Sequence, residues 1–225
     1  IIRVKPESPA QHAQLKSGDF IQSVDGKPIR NGIDWLLALV DRKAGEVLEL
    51  NVMRRGQRLP IELKLAPYPI HEAVSKTGKA NGLNCALHYG KFEALPDFAK
   101  LKPASTGAVD TLKADALPPR QNDFYALVFD GYIDIPKEGL YRITLRSDDG
   151  SRLTLNGRRA IDNDGLHPYQ ELSALVRVAS GLQPIRVEFF EGSGDELLEL
   201  YIEGEGLEKQ LVAPKMFFRD EAPKK

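Results

Sequence analysis

The sequence predicts a mainly β chain of two modules in tandem, and three observations carry that expectation. Runs that alternate apolar and polar residues, such as Tyr141, Ile143 and Leu145 against Arg142, Thr144 and Arg146, recur from Val47 to Ile202. Helical spacing is confined to the stretch before Arg42. A polar segment poor in large apolar side chains, Ser75 to Gly82, separates the two halves. The expected partition is residues 1–67, a linker at 68–81, a second module at 82–219 and a tail at 220–225.

Composition excludes several function classes. The chain has 225 residues, 42% hydrophobic and 28% charged, enough for a full core. Its 31 basic and 32 acidic residues leave a formal charge of −1, so there is no electrostatic case for nucleic acid or an anionic membrane. No apolar run approaches the length of a membrane span. The single Cys85 rules out an internal disulfide or a thiolate zinc cage within this chain. The chain opens on Ile1-Ile2-Arg3-Val4 without an initiator Met, and is expected to be a piece of a longer protein.

In the first module, Ile1 to Val4 reads as a strand, stopped at Lys5-Pro6. Ser8-Pro9-Ala10 combines an N-cap with a proline at the first helical position, predicting a short helix through Ala13 and Leu15 that ends near Gly18. Asp19 to Val24 is a strand and Asp25-Gly26 a tight turn. From Gly32 to Arg42, Ile33, Leu36, Leu37 and Val40 fall at helical spacing with Trp35 on a neighbouring face. Val47 to Val52 and Leu59 to Leu65 are strands around Arg55-Gly56.

This order, with Leu15-Lys16-Ser17-Gly18-Asp19-Phe20-Ile21 and Val24-Asp25-Gly26-Lys27-Pro28-Ile29, resembles a PDZ domain of the bacterial HtrA-like kind. The resemblance implies a partly open β-barrel with two short helices, incomplete at its N-terminus because the loop that receives a peptide carboxylate precedes the first residue. It further implies that an extended peptide or protein C-terminus binds between an edge strand, Ile1, Ile2 and Val4, and a helix presenting Ile33, Leu36, Leu37 and Val40.

The second module reads as β throughout. Strands are expected at Gly82–Tyr89, Phe124–Phe129, Gly131–Ile135, Tyr141–Arg146, Leu153–Leu155, Leu175–Val178, Ile185–Phe189 and Leu198–Ile202, with Asn156-Gly157 a type I′ hairpin turn. Many short strands with regular turn signals predict a sandwich or barrel. Ser147-Asp148-Asp149-Gly150-Ser151 places adjacent carboxylates at a sheet tip without a local cation. A solvated turn and a hard metal ion such as calcium are both open readings of it. Asp162-Asn163-Asp164-Gly165 with Glu171 partly imitates an EF-hand loop, but Ala160 would fill the first ligand position and no helices flank it. It is either a solvated hairpin connection or a loop lending oxygens to the Asp148-Asp149 tip.

Phe129 to Pro136, Gly139-Leu140-Tyr141, Ser147 to Ser151, Leu153 to Gly157, Asp162 to Gly165 and Pro184 to Glu191 occur in the order of the PA-fourteen domain, the anthrax protective antigen-like antiparallel β-sandwich, which this module resembles over its whole length. In the lectin members of that family, a cis-linked Asp-Asp pair holds calcium and calcium holds sugar hydroxyls. The resemblance therefore implies metal ligands at Asp148, Asp149 and Glu191, and carbohydrate contacts at those residues and Gly192. Glu191 stands nearest to the lectins' asparagine, which is not matched. The implied partners are a glycan or cell-wall polysaccharide, and the implied location is extracellular or periplasmic.

No catalytic constellation is visible. Gly192-Ser193-Gly194-Asp195 lacks a triad context, and His12, His71, His88 and His167 lack zinc-ligand spacing. The expected function is a non-catalytic recognition region of a bacterial envelope or secreted protein. The alternative is the regulatory C-terminal part of an HtrA-like serine protease, or another hydrolase, whose catalytic domain lies upstream.

Overall fold

The computed structural model describes residues 1–2, 4, 8–39, 41–67, 70, 72–116, 121–204 and 206–221. The chain divides into two units, Ile1–Pro69 and Ile70–Lys225.

In the first unit, Ser8 caps α1 (Pro9–His12) by accepting the Gln11 N–H through its side chain, with Pro9 entering the helix where its missing N–H costs nothing. The helix stops at His12, earlier than the apolar residues Ala13 and Leu15 suggested, because Gln14 takes a positive φ of 58° and turns the chain toward the sheet. Leu15 then drops into the core. A four-stranded antiparallel sheet follows in the order β2-β1-β3-β4, from β1 (Phe20–Val24), β2 (Lys27–Pro28), β3 (Val47–Arg54) and β4 (Gln57–Lys64). Leu48, Leu50 and Val52 alternate inward along β3 and join Leu15, Val24 and Leu63 in the core.

Helix α2 (Gly32–Leu39) is capped by Asn31, whose carboxamide oxygen accepts the Ile33 and Asp34 N–H groups. It packs on the core through Trp35, Ala38 and Leu39. Ile33, Leu36 and Leu37 face away from that core and are 66–67% exposed. Ile1 to Val4 are not a strand among the described residues. Ile1 instead makes a short two-way pairing, its nitrogen donating to the Asp19 carbonyl at 2.6 Å and its carbonyl accepting the Gly18 N–H at 2.9 Å.

The second unit is two facing antiparallel sheets. One has eight strands: β5 (Lys79–Asn81), β6 (Leu83–Tyr89), β7 (Ser105–Val109), β8 (Tyr125–Ile135), β10 (Ser151–Leu155), β11 (Arg158–Asn163), β13 (Gly181–Glu191) and β16 (Phe217–Asp220). The other has four, in the order β12-β9-β14-β15, from β9 (Gly139–Asp148), β12 (Gln170–Val178), β14 (Leu197–Gly204) and β15 (Leu207–Leu211). Tyr125, Leu127, Phe129, Leu153, Val187 and Phe189 from the first sheet meet Tyr141, Ile143, Leu145, Val176, Leu200 and Ile202 from the second in one core. Each such side chain contributes about 1.5–3 kcal/mol by leaving water.

Gly131 to Ile135, expected either to continue the run Phe124–Phe129 or to pair with it, continues it as one strand, β8, paired along its whole length with β13 from Gly181↔Ile135 to Glu191↔Tyr125. Gly131 sits mid-strand where a Cβ would lie 2.4 Å from the Phe218 carbonyl oxygen, so a glycine is needed for β16 to close in. Part of the stretch expected as a linker is sheet: Lys79–Asn81 pair with β16, and Val74 bridges Leu182. Their polar, alternating character is that of an edge strand with one face in water. Asn156 and Gly157 both take positive φ, as the type I′ turn requires.

Candidate functional site

The site is assembled at one end of the sandwich, where three chain segments meet. The β9–β10 turn supplies Asp148 and Asp149, joined by a cis peptide bond. The C-terminal end of β13 supplies Glu191 and Gly192, and the β11–β12 connection supplies residues 164–169.

Asp149 is buried and held at both oxygens. Its Oδ1 accepts the His167 N–H at 3.0 Å and its Oδ2 accepts the Gly192 N–H at 2.9 Å. Asp148 is half-buried and accepts the Tyr169 N–H. Burial and then the Asp149 charge raise its pKa above the usual carboxylate range. Gly192 is small for a reason. A Cβ there would sit 2.7 Å from Leu166 Cδ2 and 3.1 Å from Asp149 Oδ2. Gly150, behind the pair, is equally confined, with Phe190 Cε1 at 2.4 Å and the Gly165 carbonyl oxygen at 2.8 Å from a hypothetical Cβ.

Glu191 is the anomaly. Its side chain is 0% exposed, and neither carboxylate oxygen has a hydrogen-bond partner. Burial first, then the charges of Asp149, Asp148, Glu196 and Asp123, push its pKa up to about 8. An unpartnered buried carboxylate costs several kcal/mol unless a proton or a cation neutralises it. Among the described residues no three His, Cys, Asp or Glu side chains converge as a ready-made metal shell. Calcium, however, takes six to eight oxygens, and main-chain carbonyls and water commonly complete the set. The orphaned oxygens of Glu191, beside two further carboxylates, fit a hard cation on chemistry.

The structure thus brings Asp148, Asp149, Glu191 and Gly192 together, though Gly192 stands 44 positions after Asp148 in the sequence. Several contributors were not singled out from the sequence. His167 was read as one of four scattered histidines, yet its backbone N–H grips Asp149. Tyr169 and Leu166, both about half exposed, stand on the same connection. Asp162 and Asp164 do not lend oxygens to the tip. Arg152 holds both, at 3.0 Å each. The signal available in the sequence was Asp162-Asn163-Asp164-Gly165, whose turn-forming residues mark the start of the β11–β12 connection.

In the first unit, Ile1 and Val4 pack against the core while Ile2 is solvent-exposed. Ile33, Leu36 and Leu37 form an exposed apolar face on α2, and Val40 lies outside the described residues.

A family model described as PA14 domain matches residues 79–212. The chain belongs to the PA14 family. A second model, PDZ domain, matches residues 1–65, so a PDZ domain precedes the PA14 domain. Among curated relatives, the serine endoprotease DegS of Escherichia coli (strain K12) is 30% identical over 66 residues, covering 29% of this chain and 19% of the relative. The serine protease HTRA1 of Xenopus tropicalis is 36% identical over 63 residues, 28% of this chain and 13% of the relative. A probable periplasmic serine endoprotease DegP-like of Marinomonas sp. (strain MWYL1) is 30% identical over 109 residues, 48% and 23% respectively. The chain thus spans less than a quarter of the length of these relatives.

Solved structures share the fold of the PA14 domain. The PA14 domain of the MpAFP antifreeze protein is 17% identical with a TM-score of 0.54, covering 69% of this chain and 100% of that one. A PA14 sugar-binding domain from an RTX adhesin is 12% identical at TM-score 0.54, covering 62% and 99%. The epithelial adhesin 9 A domain of Candida glabrata, in complex with Galb1-4GlcNAc, is 13% identical at TM-score 0.53, covering 69% and 97%. PDZ and PA14 domains are generally binding domains rather than catalytic ones.

Proposed function

We propose that this chain is the recognition region of a bacterial envelope or secreted protein, in which the PA14 domain binds carbohydrate with the help of calcium and the PDZ domain binds peptide. The observation that carries the reading is Glu191, fully buried with both oxygens unpartnered beside Asp148 and Asp149. Calcium at this place would be held by Asp148, Asp149 and Glu191, and would supply a hard charge for vicinal sugar hydroxyls. The chain's own groups prepare the site. The His167 and Gly192 amides fix the Asp149 carboxylate, and the Tyr169 amide fixes Asp148. Gly192 leaves the space that a side chain would fill. Tyr169 and Leu166 flank the carboxylates with exposed apolar surface suited to the C–H face of a sugar ring.

The sugar-binding PA14 domain and the saccharide-bound adhesin domain among the fold's neighbours support this assignment, and the adhesins and the periplasmic protease relative support a location outside the cytoplasm. The exposed apolar face of Ile33, Leu36 and Leu37 supports peptide capture beside α2. Calorimetric titration of the chain with calcium, beside Asp148→Asn, tests the metal reading, and a glycan screen with and without calcium tests the carbohydrate reading. Saturable heat lost in the variant is expected. No heat at millimolar calcium from a folded protein would sink it. A second reading, that these modules regulate an HtrA-like serine protease, is favoured by the PDZ relatives and is tested by assaying the parent protein for serine-protease activity.

A further inference from the structure

Beneath the Asp148-Asp149 tip lies a buried polar network that the proposed ligand set does not include. Ser147 and Ser151 bracket the tip and are both fully buried, with their hydroxyl oxygens 2.7 Å apart. Asn163, on β11 directly opposite Ser151, is 4% exposed and donates from Nδ2 to Ser147 Oγ at 3.0 Å. Its main-chain carbonyl lies 2.9 Å from His167 Nε2, and the His167 backbone N–H in turn donates to Asp149 Oδ1.

We infer that Asn163 is a positioning residue for the Asp148-Asp149 pair, its side chain acting through Ser147; this rests on reading the pair as a cation site. Ser147 is bonded to Asp148, so the carboxamide that holds the Ser147 hydroxyl holds the strand end that presents the pair. The Asn163 contact with the His167 ring is made by the main chain and would survive a change of side chain. A carboxamide is the group the position requires. Its N–H occupies a lone pair of Ser147 and leaves that hydroxyl free to donate to Ser151. An aspartate would lose the donor and place a third charge under two carboxylates. Outer partners that orient metal ligands typically change affinity by about 10–100-fold when removed.

The test separates positioning from mere stability by a matched control. Gln183 is another fully buried amide of the same sandwich, near the start of β13 and therefore at the opposite end of that strand from Glu191. It accepts from Asn156 Nδ2 at 2.7 Å and donates to the Ala179 carbonyl at 3.0 Å. Asn163→Ala and Gln183→Ala are compared on the whole chain by amide hydrogen exchange at Tyr169, whose N–H donates to Asp148, in chelator, and by calorimetric calcium titration. Asn163→Ala is expected to speed exchange at the Tyr169 amide at least about tenfold and to weaken calcium binding by about 10–100-fold. Gln183→Ala is expected to leave both within about twofold. The inference is overturned if Asn163→Ala leaves either quantity within twofold of the wild type, or if Gln183→Ala moves both as far. Should the wild type take up no calcium, the cation reading fails by itself. The exchange comparison then still decides whether Asn163 holds Asp148.

Discussion

Replacing Glu191 with glutamine should stabilise the PA14 domain in the absence of metal, by a margin that grows from pH 4.5 to about 8. The folded state holds this carboxyl at about 8, whereas in the unfolded chain it titrates near 4.5. Above pH 4.5 the unfolded state releases the proton and the folded state retains it, so stability falls as pH rises toward 8 and levels off beyond. At about 1.36 kcal/mol per unit, the full displacement sets a ceiling on the order of 5 kcal/mol. Relaxation and water entry reduce this to about 2–4 kcal/mol. Glutamine cannot ionise, so Glu191→Gln should match the wild type below pH 4.5 and exceed it by that margin near pH 9, both in chelator. Calcium should narrow that gap, adding about 2.7 kcal/mol to the wild type at a hundredfold excess over Kd and less to the variant. The assay is urea unfolding followed by far-ultraviolet circular dichroism, because the single Trp35 lies in the PDZ domain and does not report on the sandwich. Parallel pH profiles for wild type and Glu191→Gln in chelator would refute the account of Glu191 as a buried, uncompensated acid.

Three further outcomes follow from other parts of the molecule. Asp19 is buried, and hydrogen bonds from Arg54 hold its pKa down at about 2. The stability it confers is therefore complete above pH 3.8 and lost as pH falls through 2; Arg54→Met should remove this acid step and cost about 2–4 kcal/mol, read by Trp35 fluorescence. Gly204→Ala should cost about 1–3 kcal/mol by thermal melting, since the new Cβ would lie 2.3 Å from the Tyr141 ring in the core. Tyr169→Ala should weaken glycan binding about tenfold in an affinity titration while calcium uptake by the same protein stays within about twofold, because the residue contributes its ring to the rim but only its backbone N–H to Asp148.

Local chemistry made much of the fold legible. Ser8 and Pro9 start α1, Asn156-Gly157 turns a hairpin, and alternation along β3, β9 and β14 marks the face each strand buries. These signals lie within a few residues of one another, so a single sequence displays them. Strand ends were less legible. β8 and β13 run eleven residues each, longer than their alternating runs, because pairing with a neighbour extends a strand through positions with no pattern of their own. Ile1 to Val4 show the converse. Their composition suits a strand, yet among the described residues no strand forms there, and the Ile1 backbone pairs with Gly18 and Asp19.

The candidate site divides along the same line. Adjacent aspartates before a glycine are visible in any reading of residues 148–150, and the sequence by itself determined that two carboxylates stand at a sheet tip. It also determined the two binding modules, through ordered motifs spanning most of the chain. Only the tertiary structure decided that Glu191 lies buried with no partner, that Arg152 claims Asp162 and Asp164, and that the amides of His167 and Gly192 close on Asp149. Burial and charge compensation depend on which distant segments converge. A carboxylate's neighbours in space, not in sequence, set what it costs and what it can hold.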